Sequence, residues 1–275
     1  MTLSSARSFL YVPAVKPELF DKAVRGAADA VIIDLEDAVP LPYKERARHD
    51  VAQWLDITEP TATEVWVRVT PEFLEEDLDA VGRVGITGIM VAKCSVDSLT
   101  HADRILSERG LPDVELIGLV ETAHALRALP EMARCNRIRT FGIGEVDLLA
   151  DLRITRSEDT ATVIDGIRTS IVIDCAAAGI AAPIAPTSTD FRDLAGFETT
   201  TARFVEMGFR ARTALHPSQV PIINAALTPT DEDVNAARRL LELYDAAHGG
   251  PTVDDSGRFV DEAVVRGARE VLARA

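Results

Sequence analysis

The stretch Val31-Ile32-Ile33-Asp34-Leu35-Glu36-Asp37 is an apolar, strand-like run that passes directly into acidic residues. Three other strand-like runs also end in charged residues, namely at Glu121, at Glu145-Val146-Asp147 and at Arg68. Parallel barrels build their functional sites from residues at the C-terminal ends of different strands. The pattern therefore predicts charged side chains that gather at one end of a barrel.

Strand-like and helix-like segments alternate along the rest of the chain. The predicted strands are residues 9–12, 30–34, 64–68, 88–92, 115–120, 139–142, 181–184 and 213–215. The predicted helices are residues 17–28, 43–55, 75–84, 95–110, 123–135, 160–178, 190–207 and 217–226. Eight strand-then-helix units favour an α/β fold, a (β/α)8 TIM barrel over residues 1–226. A doubly wound sheet is the structural alternative.

Residues 227–275 are more than a barrel requires. Helical spacing covers residues 231–248 and 261–275, and His248-Gly249-Gly250-Pro251 interrupts it. This C-terminal helical extension is expected either to cap its own barrel or to reach a neighbouring subunit. The residues alone leave both alternatives open.

Composition limits the classes of function. The chain has 275 residues, of which 47% are apolar and 27% charged, which is sufficient for a complete core. Its formal charge of −15 argues against nucleic acid and against anionic membrane surfaces as partners. Small anionic substrates remain compatible, because a metal and a few basic side chains can reverse the field inside one pocket.

The sequence shows no clear signal peptide, membrane span or cysteine motif. Residues 1–7 lack the order of a signal peptide, and no apolar run reaches the roughly 18 residues that a membrane span needs. Cys94, Cys135 and Cys175 are too far apart for a Cys-x-x-Cys site. We therefore expect a cytoplasmic protein without a disulfide framework.

Glu121 and Asp147 form the strongest candidate metal pair, since each follows a predicted strand. Mg²⁺ is usually held by one or two carboxylates together with water and substrate oxygens. The alternative is that each acid only caps the helix that follows it, where negative charge is favoured.

Arg68 ends an otherwise apolar strand, and its planar guanidinium matches a substrate carboxylate. The alternative is a structural ion pair with a nearby acid such as Asp37. Asp34 is expected to complete a water network around a metal, and Glu36 or Asp37 to orient Arg68.

Two other strand ends carry polar residues. Lys93 ends the fourth strand, which raises the alternative of a Schiff-base lysine. His216-Pro217-Ser218-Gln219 closes the eighth strand. His216 is expected to be structural, because it and Ser218 are too close in sequence to suggest a nucleophile–base pair.

Several motifs, taken together and in order, resemble the citrate lyase β-subunit-like proteins, in the superfamily that includes malyl-CoA lyases and the HpcH/HpaI aldolases. They are residues 7–13, 28–39, 67–69, 119–123, 147–152 and 215–219, and finally Val260-Asp261. These motifs span nearly the whole chain.

The resemblance implies a Mg²⁺-dependent carbon–carbon lyase, with Mn²⁺ as an alternative metal. The implied substrate is a β-hydroxyacyl coenzyme A thioester such as malyl-, citramalyl- or citryl-CoA, which is cleaved to an acyl-CoA and an α-oxo acid. Alternatives are a malyl-CoA-type thioesterase, an aldolase acting on free oxo-acids, and a β-subunit that acts on a carrier-bound acyl group within a citrate lyase complex. A homo-oligomer, a trimer or hexamer, is also implied.

The resemblance also implies roles for individual residues. Glu121 and Asp147 become the metal ligands, and Arg68 becomes the clamp on the oxo-acid. Asp261 matches an aspartate that is contributed by a neighbouring subunit and assists proton transfer. This favours the swapped arm for the C-terminal extension.

Further residues complete this implied site. Asp34 and Glu36 are catalytic candidates, because water held near them could transfer a proton. Gly144, Glu145 and Val146 are expected to bind the substrate. Arg7, Lys16 and Lys22 are the basic candidates for coenzyme A.

Overall fold

The computed structural model describes residues 6–59, 61–83 and 85–275. Eight parallel strands close into a barrel in chain order, and β8 pairs with β1 to complete the ring. The strands are β1 (Ser8–Pro13), β2 (Ala30–Asp34), β3 (Glu64–Val69), β4 (Gly88–Val91), β5 (Glu115–Val120), β6 (Ile138–Ile143), β7 (Ile184–Ala185) and β8 (Ala211–Ala214). The predicted TIM barrel is confirmed, and closure of the sheet excludes the doubly wound alternative.

Helices follow the strands around the barrel. They are α1 (Phe20–Val24), α2 (Lys44–Ile57), α3 (Leu74–Val81), α4 (Val96–Glu108), α5 (Ala123–Met132), α6 (Glu145–Asp151), α7 (Ala161–Ala178), α8 (Leu194–Glu206) and α9 (Val220–Leu227). The sequence does not predict α6, which is a short helix directly after β6. Helix α1 is shorter than predicted, because the chain turns at Gly26, whose N–H donates to the Ala23 carbonyl.

Strand β7 differs from its prediction over residues 181–184. It contains only Ile184 and Ala185, because Pro183 has no N–H to donate to a strand ladder. The preceding backbone is bound by a side chain instead, since the Thr140 hydroxyl donates to the carbonyls of Ala181 and Ala182.

The barrel has an inner and an outer core. Large apolar side chains, including Phe9, Ile32, Trp66 and Ile117, form one buried cluster inside the ring of strands. A larger cluster lies between the strands and the surrounding helices. Both faces of each strand are therefore buried, which explains why the strands are nearly continuous apolar runs in the sequence.

A second compact unit begins at Ala225. It contains α10 (Asp231–Ala246), a two-stranded antiparallel hairpin of β9 (Thr252–Val253) and β10 (Phe259–Val260), and α11 (Glu262–Ala273). Helices α10 and α11 pack on each other. The hairpin was not expected, because strands of two residues are too short to show alternation.

Over the described residues, no helix is both long and apolar enough to cross a membrane.

Candidate active site

Strand alternation brings charged side chains into the barrel at its C-terminal end. Ile32 points into the inner core, so Asp34, two residues later on β2, points to the same side. The same argument leads from Trp66 to Arg68 on β3. Parallel pairing places Asp34 and Arg68 directly opposite each other.

Arg68 is held by two buried carboxylates. Its Nε and Nη2 donate to the Asp34 carboxylate at 2.7 and 2.6 Å, and its Nη1 lies 2.8 Å from Glu36 Oε2. The guanidinium also lies over the Tyr11 ring, 4.9 Å from the centroid. The contact with Glu36 is an ion pair without hydrogen-bond geometry, so the described hydrogen bonds of the guanidinium are those to Asp34, and N–H groups remain for another anion. Burial is the largest single effect and opposes the charge, but the bonds to Asp34 together with the surrounding charges of Tyr11, Asp34 and Glu36 raise the pKa of Arg68.

Asp34 is fully occupied in orienting its neighbours. Besides the two bonds from Arg68, it accepts the N–H of Glu36 at 2.9 Å and the N–H of Ala38 at 3.2 Å. A carboxylate has about four acceptor positions, and all four are used. The structure thus places Asp34 as a direct support for Arg68, where the sequence predicts a role in a water network.

Glu36 connects Arg68 to Lys93. The Lys93 ammonium donates to Glu36 Oε1 at 2.8 Å, and the Glu36 side chain is 3% exposed. The bond to Glu36 raises the pKa of Lys93, despite an opposing effect of burial. A Schiff-base lysine requires a lowered pKa, so the contact argues against that alternative. Asp37 is exposed, and the partners of Arg68 are Asp34 and Glu36 instead.

Glu121 directly follows β5 and is buried beside this network. In the described part of the chain, its carboxylate receives one hydrogen bond, from the Lys93 backbone N–H to Oε2 at 2.5 Å. Burial raises the pKa of Glu121 to about 7, and the charges of Glu36 and Asp147 add to the effect. The negative charge of this buried carboxylate is poorly compensated by its neighbours, and a bound cation would stabilise it.

Asp147 lies in the first turn of α6 and is exposed to solvent. Gly144, three residues earlier, lies against the Glu121 carboxylate, so the first turn of α6 adjoins Glu121, and the charge of Asp147 adds to the raised pKa of Glu121. Neither Glu121 nor Asp147 is the N-cap of the following helix, since Thr122 caps α5 and Gly144 is the N-cap residue of α6. The capping alternative therefore does not account for either acid, although negative charge in the first turn of α6 is favourable.

The residues present suit a hard divalent cation. Within residues 6–59, 61–83 and 85–275, no group of three or more His, Cys, Asp or Glu side chains forms a metal site. Two carboxylates alone leave coordination positions for water and substrate, as is usual for Mg²⁺. The acids at this end are Asp34, Glu36, Glu121 and Asp147. Their basic neighbours are Arg68 and Lys93, which pair with Glu36, and Lys44, whose ammonium donates to the Glu36 carbonyl.

The predicted substrate-binding turn has three different environments. Gly144 lies directly against the Glu121 carboxylate, where a side chain would overlap it. The Glu145 side chain is buried and bound by Arg168, whose Nε and Nη2 lie 2.6 and 2.7 Å from its oxygens. Arg156 is a second partner. The Glu145 carboxylate is thus committed to the fold, whereas Val146 is 59% exposed.

The charge on Glu145 is compensated by this pairing. Burial favours the neutral acid, but the two arginines outweigh it and hold the pKa of Glu145 below its ordinary value. The start of α6, which carries Asp147, is thereby tied to α7. Sequence reasoning does not identify Arg168, because its partner lies 23 residues away on another helix.

The basic candidates for coenzyme A do not lie together. Arg7 precedes β1 and binds Asp29, which precedes β2, so this pair is at the N-terminal end of the barrel. The structure separates Arg7 from the other predicted site residues by the length of a strand, which argues against its predicted role. Lys16 follows the C-terminal end of β1, and Lys22 lies on α1; both are exposed.

His216 and Ser218 are in contact after β8. The His216 Nδ1 lies 2.7 Å from the Ser218 hydroxyl and also accepts the Ser218 N–H at 3.2 Å. The carboxamide of Gln219 accepts the N–H of His216 at 3.2 Å, so the contacts close a capped turn. This geometry supports the structural interpretation of His216.

Asp261 begins α11 in the second compact unit. Its Oδ1 accepts the backbone N–H groups of Ala263 and Val264 at 2.9 and 3.1 Å, which is an N-cap. Its other oxygen, Oδ2, is not used in these bonds. The predicted part of Asp261 in proton transfer stays a prediction.

Comparison with known proteins identifies the relatives of this chain. The sequence profile of the HpcH/HpaI aldolase/citrate lyase family matches residues 7–217. The citrate lyase subunit beta of Leuconostoc mesenteroides subsp. cremoris is 27% identical, over 97% of this chain and 92% of its own length. A (3S)-malyl-CoA thioesterase of Cereibacter sphaeroides is 29% identical, over 98% and 94%.

A crystallised protein has the same architecture. Protein CitE from Mycobacterium tuberculosis, in complex with magnesium, acetoacetate and coenzyme A, superposes with a TM-score of 0.79. It is 28% identical, and the match covers 98% of each chain.

Proposed function

Because this chain belongs to the HpcH/HpaI aldolase/citrate lyase family, we propose that it is a Mg²⁺-dependent enzyme that cleaves or forms a carbon–carbon bond in a β-hydroxyacyl-CoA. The products of cleavage are an acyl-CoA and an α-oxo acid. The CitE protein crystallised with magnesium, acetoacetate and coenzyme A supports both the metal and the thioester.

One observation carries this proposal. Arg68 donates hydrogen bonds to Asp34 and forms an ion pair with Glu36, which leaves N–H groups for another anion, and it lies at the same end of the barrel as Glu121 and Asp147. A fixed cationic fork beside two open carboxylates suits a substrate that has both a carboxylate and an adjacent hydroxyl or oxo group.

The chemistry needs an anion clamp and a polarising group. Cleavage breaks the bond between the carbinol carbon and the α-carbon of the thioester, and the bond electrons stay on the α-carbon as an enolate. When bound, Mg²⁺ supplies Lewis acidity at the substrate oxygens. Arg68 holds the carboxylate and stabilises negative charge near it. Glu121 and Asp147 would hold the metal.

Two protons move during the reaction. The hydroxyl proton passes to a base, and the α-carbon of the enolate receives a proton from an acid. Asp34 is a poor base for this step because its acceptor positions are filled. Glu36 is bound by Arg68 and Lys93. Asp261, with one oxygen outside its cap, is our candidate for proton transfer from a neighbouring subunit of a homo-oligomer.

Hydrolysis is the second candidate function, and the malyl-CoA thioesterase relative supports it. The same residues would bind malyl-CoA, while water would attack the thioester carbonyl and coenzyme A would leave. The citrate lyase relative supports a third variant, in which the acyl group is attached to a carrier within a larger complex.

A product assay tests these candidates. Purified protein is incubated with Mg²⁺ and with malyl-CoA, citramalyl-CoA, citryl-CoA or the corresponding free acids. We expect an α-oxo acid together with an intact acyl-CoA. Free coenzyme A without an oxo-acid would establish the thioesterase instead. Inactivity on every compound, also after addition of citrate lyase partner subunits, would contradict the proposal.

A further inference from the structure

Lys93 adopts a backbone conformation that is unusual for its residue type. Its φ angle is 43°, in the left-handed region, and it is the second residue after the end of β4. Such a conformation disfavours residues with a Cβ. Strained residues of this kind persist where the surrounding contacts fix them, and they are frequent at functional sites.

Two contacts of Lys93 reach different carboxylates of the site. The backbone N–H donates to Glu121 Oε2 at 2.5 Å, and the ammonium donates to Glu36 Oε1 at 2.8 Å. The left-handed turn is what presents the N–H toward β5 while the side chain extends toward the β2 end. One residue therefore bridges the proposed metal ligand and the acid that binds Arg68.

We propose that Lys93 is a positioning residue with two separable roles, one for its backbone N–H and one for its side-chain ammonium. The backbone N–H orients Glu121 for the metal, and the ammonium holds Glu36 so that Arg68 keeps N–H groups available for the oxo-acid carboxylate. The proposal deepens the proposed function and rests on it for the identity of the ligands.

Burial distinguishes this pair from an ordinary surface ion pair. The Lys93 side chain is 48% exposed, but that of Glu36 is only 3% exposed and that of Arg68 is 12% exposed. Without the ammonium, Arg68 would be the one described side chain that pairs with the Glu36 carboxylate, since the nearby Lys44 ammonium donates to the Glu36 backbone carbonyl at 2.9 Å. The guanidinium would then turn further toward Glu36 and lose its alignment with an incoming carboxylate.

Substitutions at this one position separate the backbone from the side chain. Lys93→Gly removes the ammonium and removes the strain, whereas Lys93→Ala removes the ammonium and keeps the strain. We expect Lys93→Ala to unfold about 2–4 °C below Lys93→Gly. Calorimetry should show weaker Mg²⁺ binding by Lys93→Ala than by Lys93→Gly. Equal melting temperatures and equal Mg²⁺ affinities would overturn the backbone part.

The ammonium is tested by oxo-acid binding. Titration with pyruvate and with oxaloacetate, in the presence of Mg²⁺, should show about 10-fold weaker binding by Lys93→Met and by Lys93→Gly. Lys93→Arg should restore most of the affinity, because it keeps the charge at Glu36. The matched control is Arg104→Met, which removes an exposed cation from α4 and should bind as the wild type does.

The outcomes distinguish this proposal from the proposed function. Wild-type affinity in Lys93→Met would overturn the side-chain part, although the enzyme could still be a lyase. Failure of the wild type to bind any oxo-acid would contradict the proposed function. The melting temperatures of the glycine and alanine variants would then still test the backbone part, because they need no ligand.

Discussion

The Glu121 carboxylate lies directly against Gly144, in space that any side chain on residue 144 would occupy. Gly144 has a φ of −84°, so its backbone does not require glycine. The glycine is needed for close approach, because it allows the end of β5 and the start of α6 to meet around one buried acid.

We expect Gly144→Ala to displace Glu121. Overpacking at a buried position costs about 1–3 kcal/mol, and displacement of a ligand support lowers metal affinity roughly 10–100-fold. Thermal unfolding and Mg²⁺ titration measure the two effects. The control is Gly166→Ala on α7, where an added Cβ meets open space. Wild-type Mg²⁺ affinity in Gly144→Ala would show that this contact does not position the ligand.

Glu121 should make the stability of the metal-free protein depend on pH. Its folded pKa of about 7 lies above the ordinary value of 4.5, so the folded state binds more protons between these values. The contribution of this group to stability is therefore present below pH 4.5 and is lost as the pH rises through 7.

The variant Glu121→Gln measures this contribution, since it has no charge to bury. In chelator, we expect it to be more stable than the wild type at pH 8, by up to about 3 kcal/mol, and to show little advantage at pH 4.5. Urea unfolding at both pH values provides the comparison. A constant difference across this pH range would mean that Glu121 does not titrate as described.

Asp147 should be needed for activity and unimportant for folding. It is exposed, so Asp147→Ala should change stability by no more than about 0.5 kcal/mol. Metal-dependent turnover should fall on the order of 100-fold or more, since a proposed ligand is lost. Glu158→Ala, another exposed acid, is the matched control. Unchanged turnover in Asp147→Ala would remove Asp147 from the site.

Asp261 requires two variants because it caps α11. Asp261→Ala should lose the cap, which is worth about 1 kcal/mol, whereas Asp261→Asn should retain it. If Asp261 transfers a proton, both variants should lower turnover and leave Mg²⁺ affinity near that of the wild type. Full turnover in Asp261→Asn would contradict that role. Loss of Mg²⁺ binding would assign the residue to metal binding or assembly.

The barrel could be predicted from sequence because several of its strands are apolar runs with clear ends. Ala30–Asp34 and Glu115–Val120 have the predicted bounds, since each is a buried apolar run that ends abruptly at charged residues. The hairpin of Thr252–Val253 and Phe259–Val260 could not be predicted, because two residues show no period. Helix α6 is also too short for a helical pattern to emerge.

The sequence predicts which residues form the site, but only some of the contacts between them. Arg68 and Glu121 stand out as polar ends of apolar runs, and alternation with Phe9 could also have identified Tyr11 as an inward residue. The choice of Asp34 and Glu36 over Asp37 as partners of Arg68 depends on register and on the turn after β2. The left-handed backbone of Lys93 leaves no signal in the residue type.

The placement of the site around the ring has a consequence for how such an enzyme can diversify. The gathered charges come from consecutive elements, from Asp34 at the end of β2 to Asp147 after β6. Among the described residues, β7 and β8 supply none of them, and the loops there carry partly exposed apolar side chains such as Phe191 and Leu215. Reaction chemistry and substrate selection can therefore evolve on different arcs of one barrel. Relatives could come to accept different acyl groups through changes in the loops after β7 and β8, while the charged residues at the ends of β2 to β6 stay the same.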